Sequence, residues 1–193
     1  MNKSYESYGR YKYARDGAWQ VLIDYNINSL PINVASIATS AGVKILKNSI
    51  VQKLTNGEIG TSVLSGDKWY IIYDDTMSKE RARFTIAHEL GHIFLGHPLK
   101  DVHHAQTIDT DKPRIETDAD IFASRLLAPA CVLWGLNLHT PEEIKEVCNI
   151  SYQAAELRAN RMRELYKRNK FLTSPLERQV YNNFADYIKQ HKE

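Results

Sequence analysis

Cysteine is scarce in this sequence, and long apolar runs are missing from it. Cys131 and Cys148 are the only cysteines among 193 residues, and neither belongs to a Cys-x-x-Cys pair. Two isolated thiols predict reduced, buried side chains rather than a disulfide framework or a redox pair. No stretch approaches the roughly 18–20 consecutive apolar residues of a membrane helix, and the polar first ten residues lack the apolar region of a signal peptide. We therefore expect a soluble, cytoplasmic protein.

The sequence also has no large excess of charge of either sign. It contains 25 Lys and Arg residues against 23 Asp and Glu residues, a formal net charge of +2. Bulk charge therefore gives no reason to expect nucleic acid or an anionic membrane as a partner. With 43% hydrophobic and 25% charged residues, the composition excludes a disordered or collagen-like chain. A chain of this length can bury a core without a disulfide.

The spacing of apolar residues predicts an α+β fold, in which a helical bundle surrounds a small, mainly antiparallel sheet. Two β-prone runs, 58–64 and 68–73, are separated by Ser65-Gly66-Asp67, which is typical of a hairpin turn. Residues 98–113 show no periodicity and predict a loop. The other expected elements are a strand at 43–46 and helices within 11–27, 33–42, 78–96, 114–127, 141–148 and 151–168.

These elements suggest three segments. Residues 1–27 would form an N-terminal helical extension, and residues 28–138 would form the core with the most regular helix. Residues 139–193 would form a C-terminal helical segment packed on that core. Within this segment, the sequence pattern of residues 141–158 predicts a helix-turn-helix-like hairpin.

Histidine is locally abundant: five of the seven residues, His88, His92, His97, His103 and His104, fall within positions 88–104. His88-Glu89-Leu90-Gly91-His92 fits the pattern HExxH inside a predicted helix. Residues four apart share a helix face, so His88 and His92 can converge on one tetrahedral ion. Glu89 can then accept a proton from metal-bound water. The alternative is an amphipathic helix that happens to carry two histidines.

A catalytic zinc requires a third protein ligand, and Glu116 is the best candidate. Glu116 and Asp120 are also four residues apart on a predicted helix, so one carboxylate can bind the ion while the other accepts the N–H of a ligating imidazole. The alternative is a solvated acidic first turn favoured by the helix dipole. We interpret His97, just past the expected helix end, as bordering the site rather than binding the metal.

The motifs are similar to those of a known family. Residues 83–97, with HELGH near their centre, and the downstream pattern Glu116-x-x-Ala119-Asp120-x-Phe122-Ala123-x-x-Leu126-Leu127-Ala128-Pro129 resemble the ImmA/IrrE family of zinc metallopeptidases. The resemblance spans roughly residues 28–165. By likeness to thermolysin-like gluzincins, it implies that Glu116 binds zinc and that Asp120 orients a ligating histidine. The chain departs from the family at Ala128, where Met is frequent.

The resemblance also implies a function. Members act in bacteria and their mobile genetic elements, where they cleave or inactivate helix-turn-helix repressors of the Xre or phage type, often encoded nearby. It therefore implies a zinc-dependent endopeptidase with such a repressor as its protein substrate. Glu89 would accept a proton from the metal-bound water and later deliver it to the leaving amine.

Several residues are candidates for oxyanion or substrate contacts: His97, His103, His104, Tyr70 and Tyr73. For each of them, a packing or surface role is the competing interpretation. Residues 68–73 precede the motif helix, and if this strand lies at the edge of the sheet, a substrate could add to it by β-augmentation.

The C-terminal segment permits a rival interpretation. Within 151–170, two residues are acidic, Glu156 and Glu164, and six are basic: Arg158, Arg161, Arg163, Lys167, Arg168 and Lys170. A DNA recognition helix starting near Ser151 is one interpretation. We favour a helical hairpin that packs on the protease or docks the repressor, as in the resembled family. The alternative for the whole chain is a non-catalytic regulatory protein that binds a repressor or DNA through these helices.

Overall fold

A computed structural model describes residues 3–97 and 114–192 of the chain. It is mostly helical with a small three-stranded sheet, which confirms the predicted α+β class. The predicted loop at 98–113 lies outside the described residues. The elements are α1 (Lys3–Asp24), α2 (Val34–Ser40), β1 (Lys44–Lys47), α3 (Asn48–Val51), β2 (Gly60–Ser65), β3 (Lys68–Tyr73), α4 (Lys79–Phe94), α5 (Arg114–Leu127), α6 (Ala130–Gly135), α7 (Pro141–Cys148), α8 (Tyr152–Lys167), α9 (Pro175–Asn183) and α10 (Ala185–His191).

The strands of the sheet are ordered β1-β3-β2. β2 and β3 form the predicted hairpin and pair antiparallel, with Gly60 opposite Tyr73 and Ser65 opposite Lys68. β1 pairs with the other side of β3 in the parallel direction, with Lys44 opposite Tyr70. The sheet is therefore mixed rather than uniformly antiparallel.

β3 is the central strand, so the edge position on which substrate pairing with residues 68–73 depended is not found. The burial of β3 gives the physical reason. Ile71 and Ile72 are 0% and 6% exposed although neighbouring residues point to opposite faces of the sheet. A strand with apolar residues on both faces is typical of the middle of a sheet. Among the described residues, β2 has β3 as its one strand partner and forms the edge next to α4.

Helix α4 packs on β2, β3 and α2. Its apolar face buries Ala87 and Leu90 completely, and α5 buries Ala119 and Phe122. The rings of Phe94 and Phe122 stack with centroids 6.2 Å apart. This apolar contact brings the first turn of α5 beside the middle of α4, where the histidine motif lies.

The chain divides into two compact units. Among the described residues, the first comprises 3–14, 33–97 and 114–123 and contains the sheet and α4. The second comprises 15–32 and 124–192 and is helical. The three segments inferred from the sequence, with boundaries at 27/28 and 138/139, remain a prediction.

The second unit contains the predicted helix-turn-helix-like hairpin of α7 and α8. Thr140 forms a capping box at the start of α7, and Asn149 between the helices is left-handed with φ of 50°. Arg158 on α8 is only 4% exposed and donates a hydrogen bond to the backbone carbonyl of Ala128. Arg158 therefore stabilises the unit, and it is removed from the set of basic residues available for DNA contact.

Both cysteines are buried and neither forms a disulfide, as predicted. Burial, followed by the charge of Glu177, raises the pKa of Cys131 to about 12, so this thiol is unreactive at neutral pH. No helix in the described parts of the chain has the length and apolar character needed to cross a membrane.

Candidate metal centre

Helix α4 carries three buried polar side chains of the HExxH motif: His88, Glu89 and His92 are 1%, 4% and 7% exposed. The helix begins after Ser78, whose hydroxyl accepts a hydrogen bond from the backbone N–H of Arg81, as expected for an N-cap. Because His88 and His92 are separated by one helical turn, their imidazoles project from the same face. Burying such polar groups costs free energy unless they form hydrogen bonds or ion pairs or bind a metal.

Glu116, in the first turn of α5, completes a group of three. The Nε2 atom of His88 lies 3.1 Å from Oε2 of Glu116 and 3.0 Å from Nε2 of His92. The Nε2 atom of His92 lies 3.5 Å from Oε1 of Glu116. A tetrahedral ion with bonds of about 2.0–2.1 Å separates its ligand atoms by about 3.3–3.4 Å. These three residues could therefore hold a metal ion, and two imidazoles with one carboxylate are a donor set used by catalytic zinc.

Asp120 lies behind His88, away from the ligand atoms. Its Oδ1 is 2.9 Å from Nδ1 of His88. Burial alone would lower the pKa of His88, but hydrogen bonds to Asp120 and Glu116 outweigh it and raise the pKa to about 9. When Nδ1–H donates to Asp120, Nε2 is the nitrogen free to bind a metal. The resemblance implies this role for Asp120, and its effect on a bound metal stays a prediction.

His97 contacts His92 and not the group of ligand atoms. The Nδ1 atoms of the two rings are 2.9 Å apart, on the side of His92 opposite its Nε2. Burial, followed by the neighbouring His92, lowers the pKa of His97 to about 4, so its imidazole is neutral at neutral pH. The interpretation that His97 borders the site agrees with this position, but sequence reasoning missed its hydrogen bond to His92.

Gly60 allows β2 to lie directly against α4 at Glu89. A Cβ atom at Gly60 would lie 2.3 Å from Cγ2 of Thr85 and 3.4 Å from Oε1 of Glu89. Thr85 is fully buried, so it has little room to move away. The edge strand therefore passes beside the Glu89 carboxylate, and only glycine fits there. Sequence reasoning also missed this contact, because nothing local to Gly60 indicates which helix it touches.

An ion pair behind the site was missed as well. Asp118 lies between Glu116 and Asp120 in sequence, is 5% exposed, and is paired with Arg10 of α1. Nε of Arg10 is also 3.4 Å from the other oxygen of Asp118. The charge of Arg10 thus compensates a buried carboxylate of α5. The sequence shows that Arg10 is a charged residue on an earlier helix. Apolar periodicity, however, does not reveal which two helices lie in contact.

The other candidates for oxyanion or substrate contacts differ in where they lie relative to the metal centre. Tyr73 lies opposite Gly60, and opposite residues share a face of the sheet, so Tyr73 is on the face towards α4 and stays a candidate. Tyr70 is on the other face, where Nζ of Lys44 lies 5.9 Å from its ring centroid. The structure therefore does not bring Tyr70 to the metal centre. His103 and His104 lie outside the described residues.

A comparison with family models matches residues 38–160 to the IrrE N-terminal-like domain, a peptidase family. The match covers well over half of the chain and includes the HExxH motif, Glu116 and Asp120. No curated protein matches the chain. The family match confirms the resemblance inferred from the two motifs.

Proposed function

Because the chain belongs to the IrrE N-terminal-like peptidase family, we propose that it is a zinc-dependent endopeptidase that cleaves or inactivates a helix-turn-helix repressor of the Xre or phage type. The observation that carries the proposal is the convergence of His88, His92 and Glu116 beside the buried carboxylate of Glu89. Three ligands leave a fourth position of a tetrahedral ion for water or substrate, as catalytic sites require.

The donor set supports zinc as the ion. When bound, Zn²⁺ would polarise the scissile carbonyl and lower the pKa of a water molecule towards 7. His88 and His92 would each present Nε2, and Glu116 would present a carboxylate oxygen. Asp120 holds the proton of His88 on Nδ1 and so directs its other nitrogen to the metal.

Glu89 performs the proton transfers in this proposal. It follows His88 directly on α4 and is held between that helix and the start of β2. Its carboxylate takes a proton from the attacking water and then delivers it to the leaving amine. A buried carboxylate beside the ligands costs folding free energy, and a role in catalysis accounts for its presence.

The edge of the sheet supports a peptide as substrate. Asp74 donates its backbone N–H to the carbonyl of Ile59 at 3.0 Å. Since bonded pairs alternate along an antiparallel ladder, Gly60, Ser62 and Leu64 direct their backbone groups away from β3. We propose that an extended segment of the repressor pairs with this edge and passes Glu89. β2 thus takes the place of residues 68–73, where pairing with a substrate depended on an edge position.

The test uses Glu89→Gln, with Glu146→Gln on the exposed face of α7 as the matched control. Each protein, loaded with Zn²⁺, is incubated with the helix-turn-helix repressor encoded nearest to its gene and with a random peptide mixture. Mass spectrometry then detects new peptide termini. We expect Glu89→Gln to keep one zinc per chain and to cleave at least about 100-fold more slowly. Equal cleavage by Glu89→Gln and the control would refute the mechanism.

The two substrates separate the parts of the proposal. Cleavage of random peptides without cleavage of the repressor would keep the peptidase and refute the repressor as its substrate. Binding of the repressor without any cleavage would favour the alternative, a non-catalytic regulatory protein. That alternative gives no reason for a buried Glu89 next to two metal-ligating imidazoles.

A further inference from the structure

The ring of His97 packs edge-on against the ring of His92. Their centroids are 4.9 Å apart with an interplanar angle of 71°, and the Nδ1 atoms face each other at 2.9 Å. His92 is buried and His97 is half-buried. His97 therefore contacts the Nδ1 side of the His92 ring, whereas Nε2 of His92 points to His88 and Glu116.

The end of α4 sets the position of His97. Leu95 is the C-cap and Gly96 is left-handed with φ of +63°. The N–H of His97 donates to the carbonyl of His92 at 3.0 Å, and the N–H of Gly96 donates to that of Ile93 at 3.2 Å. These two bonds define a Schellman motif, which usually adds an apolar contact between the residues that occupy the positions of His97 and His92. Here two imidazoles make that contact.

A further bond anchors the same turn. The hydroxyl of Tyr13, on α1, donates to the carbonyl of Leu95 at 2.7 Å. Tyr13 precedes the residues that match the family model, which begin at residue 38. The turn that carries His97 is thus held both by its own backbone and by a helix outside the matched region.

Only one arrangement of protons lets His92 bind a metal through Nε2. Its proton must then be on Nδ1, and this N–H needs an acceptor. The nearest ring nitrogen is Nδ1 of His97, which accepts if His97 carries its own proton on Nε2. A neutral imidazole in this tautomer satisfies both rings.

We propose that His97 is a positioning residue for the metal centre: it accepts the Nδ1–H hydrogen bond of His92 and so fixes the tautomer and the ring orientation of that ligand. The inference rests on the proposed metal site. His88 is held by the carboxylate of Asp120, whereas His92 is held by a neutral ring. The hydrogen-bond partner of His88 is negatively charged and that of His92 is neutral. His88 is therefore the more strongly electron-donating of the two ligands.

The experiment compares three substitutions of His97. His97→Ala removes the acceptor. His97→Asn places an amide oxygen where Nδ1 was, and His97→Gln places it near the former Nε2. His139→Ala, which removes an exposed histidine of the second unit, is the control. The zinc Kd is measured by competition with a chelator, and the absorption spectrum of the Co²⁺-loaded protein reports the ligand geometry.

We expect His97→Ala and His97→Gln to raise the zinc Kd about 10- to 100-fold. We expect His97→Asn and His139→Ala to stay within a few-fold of the unmodified chain and to keep its Co²⁺ spectrum. Unchanged zinc affinity in His97→Ala would overturn the inference. Equal weakening by His97→Ala and His97→Asn would also overturn it, because a packing role would then suffice.

A measurement on the unmodified chain guards against variants that fail to fold. In the zinc-loaded protein, ¹⁵N NMR should find a proton on Nδ1 of His92 and none on Nδ1 of His97; the reverse pattern would refute the hydrogen bond. If the unmodified chain does not bind zinc, the proposed metal site fails, and the inference fails with it. If it binds zinc and His97→Ala binds equally well, only the inference fails.

Discussion

The Nδ1 atom of His88 lies 2.9 Å from an oxygen of Asp120, and this contact assigns the other nitrogen of His88 to the ligand group. A carboxylate behind a metal-ligating imidazole fixes its tautomer and increases its electron donation. The hydrogen bond orients the ring so that its Nε2 atom faces Glu116 and His92. The contact therefore leads to predictions about the metal affinity of the protein and about the pH dependence of its metal binding and stability.

Asp120→Asn should weaken metal binding without removing it. The amide oxygen can still accept the N–H of His88, but the negative charge is lost. We expect the zinc Kd to rise about 10-fold or more, measured by chelator competition. Asp67→Asn, in the exposed hairpin turn, serves as the control. An unchanged zinc Kd in Asp120→Asn would show that the carboxylate does not support His88.

Metal binding should release a proton at neutral pH. The pKa of His88 is about 9 in the metal-free protein, so Nε2 must lose a proton before it can bind an ion. Titration calorimetry at pH 7.5 in two buffers of different ionisation enthalpy should report release of about one proton. The apparent affinity should rise with pH up to about 9. Binding without proton release would contradict this assignment.

The same shift predicts how the stability of the metal-free protein depends on pH. The pKa of His88 is raised from 6.5 to about 9, so its contribution is complete below about pH 6.5 and is lost as pH rises through 9. The free energy of unfolding of the metal-free chain should therefore fall between these values. Urea denaturation at several pH values measures the effect, and His88→Ala should remove the decline.

Gly60→Ala should destabilise the first unit. Its Cβ would lie 2.3 Å from Cγ2 of Thr85, and the buried, β-branched Thr85 has few rotamers to adopt. We expect a loss of about 1–3 kcal/mol in the free energy of unfolding. The double variant with Thr85→Ser lacks the clashing methyl group and should recover most of this loss. Gly9→Ala, which meets nothing within 4 Å, is the control.

Ser62→Pro should impair substrate binding more than folding. The alternation of bonds along β2 places the N–H of Ser62 on the side away from β3, so proline removes no bond of the sheet there. We expect KM for a cleaved peptide to rise several-fold, with a melting temperature close to that of Ser62→Ala. Equal KM values for the two variants would exclude pairing of the substrate with β2 at this residue.

Arg10→Met should leave the buried carboxylate of Asp118 without its partner. Because Arg10 is 35% exposed, we expect a cost on the order of 1–2 kcal/mol, below the values for fully buried pairs. The double variant with Asp118→Asn should regain stability, since no uncompensated charge remains. Thermal denaturation of the four proteins forms a double-mutant cycle, and additive effects would mean that the two residues do not interact.

Local sequence patterns were sufficient for most elements of the fold. The apolar spacing in α4 and α5, the N-cap at Ser78 and the hairpin turn at Gly66 each depend on neighbours within about four residues. The short helices α3, α6, α9 and α10 were not predicted. All four have fewer than ten residues and little periodic signal, and packing within their units stabilises them.

The pairing of strands was less accessible. The hairpin of β2 and β3 follows from the turn between them, but the parallel partner β1 lies more than twenty residues upstream. Two neighbouring buried isoleucines in β3 indicate a central strand, and that signal was present in the sequence. Apolar spacing alone left open whether residues 68–73 lie at an edge of the sheet.

By itself, the sequence determined the family, the α+β class and the likeness of HExxH to a metal-binding helix, because these depend on residue type and short-range spacing. Only the tertiary structure decided that Gly60 lies against Glu89, that Arg10 pairs with Asp118 and that His97 faces His92. The first two contacts join elements far apart in the chain. The third depends on the three-dimensional course of the turn at Gly96, which directs one imidazole back onto another.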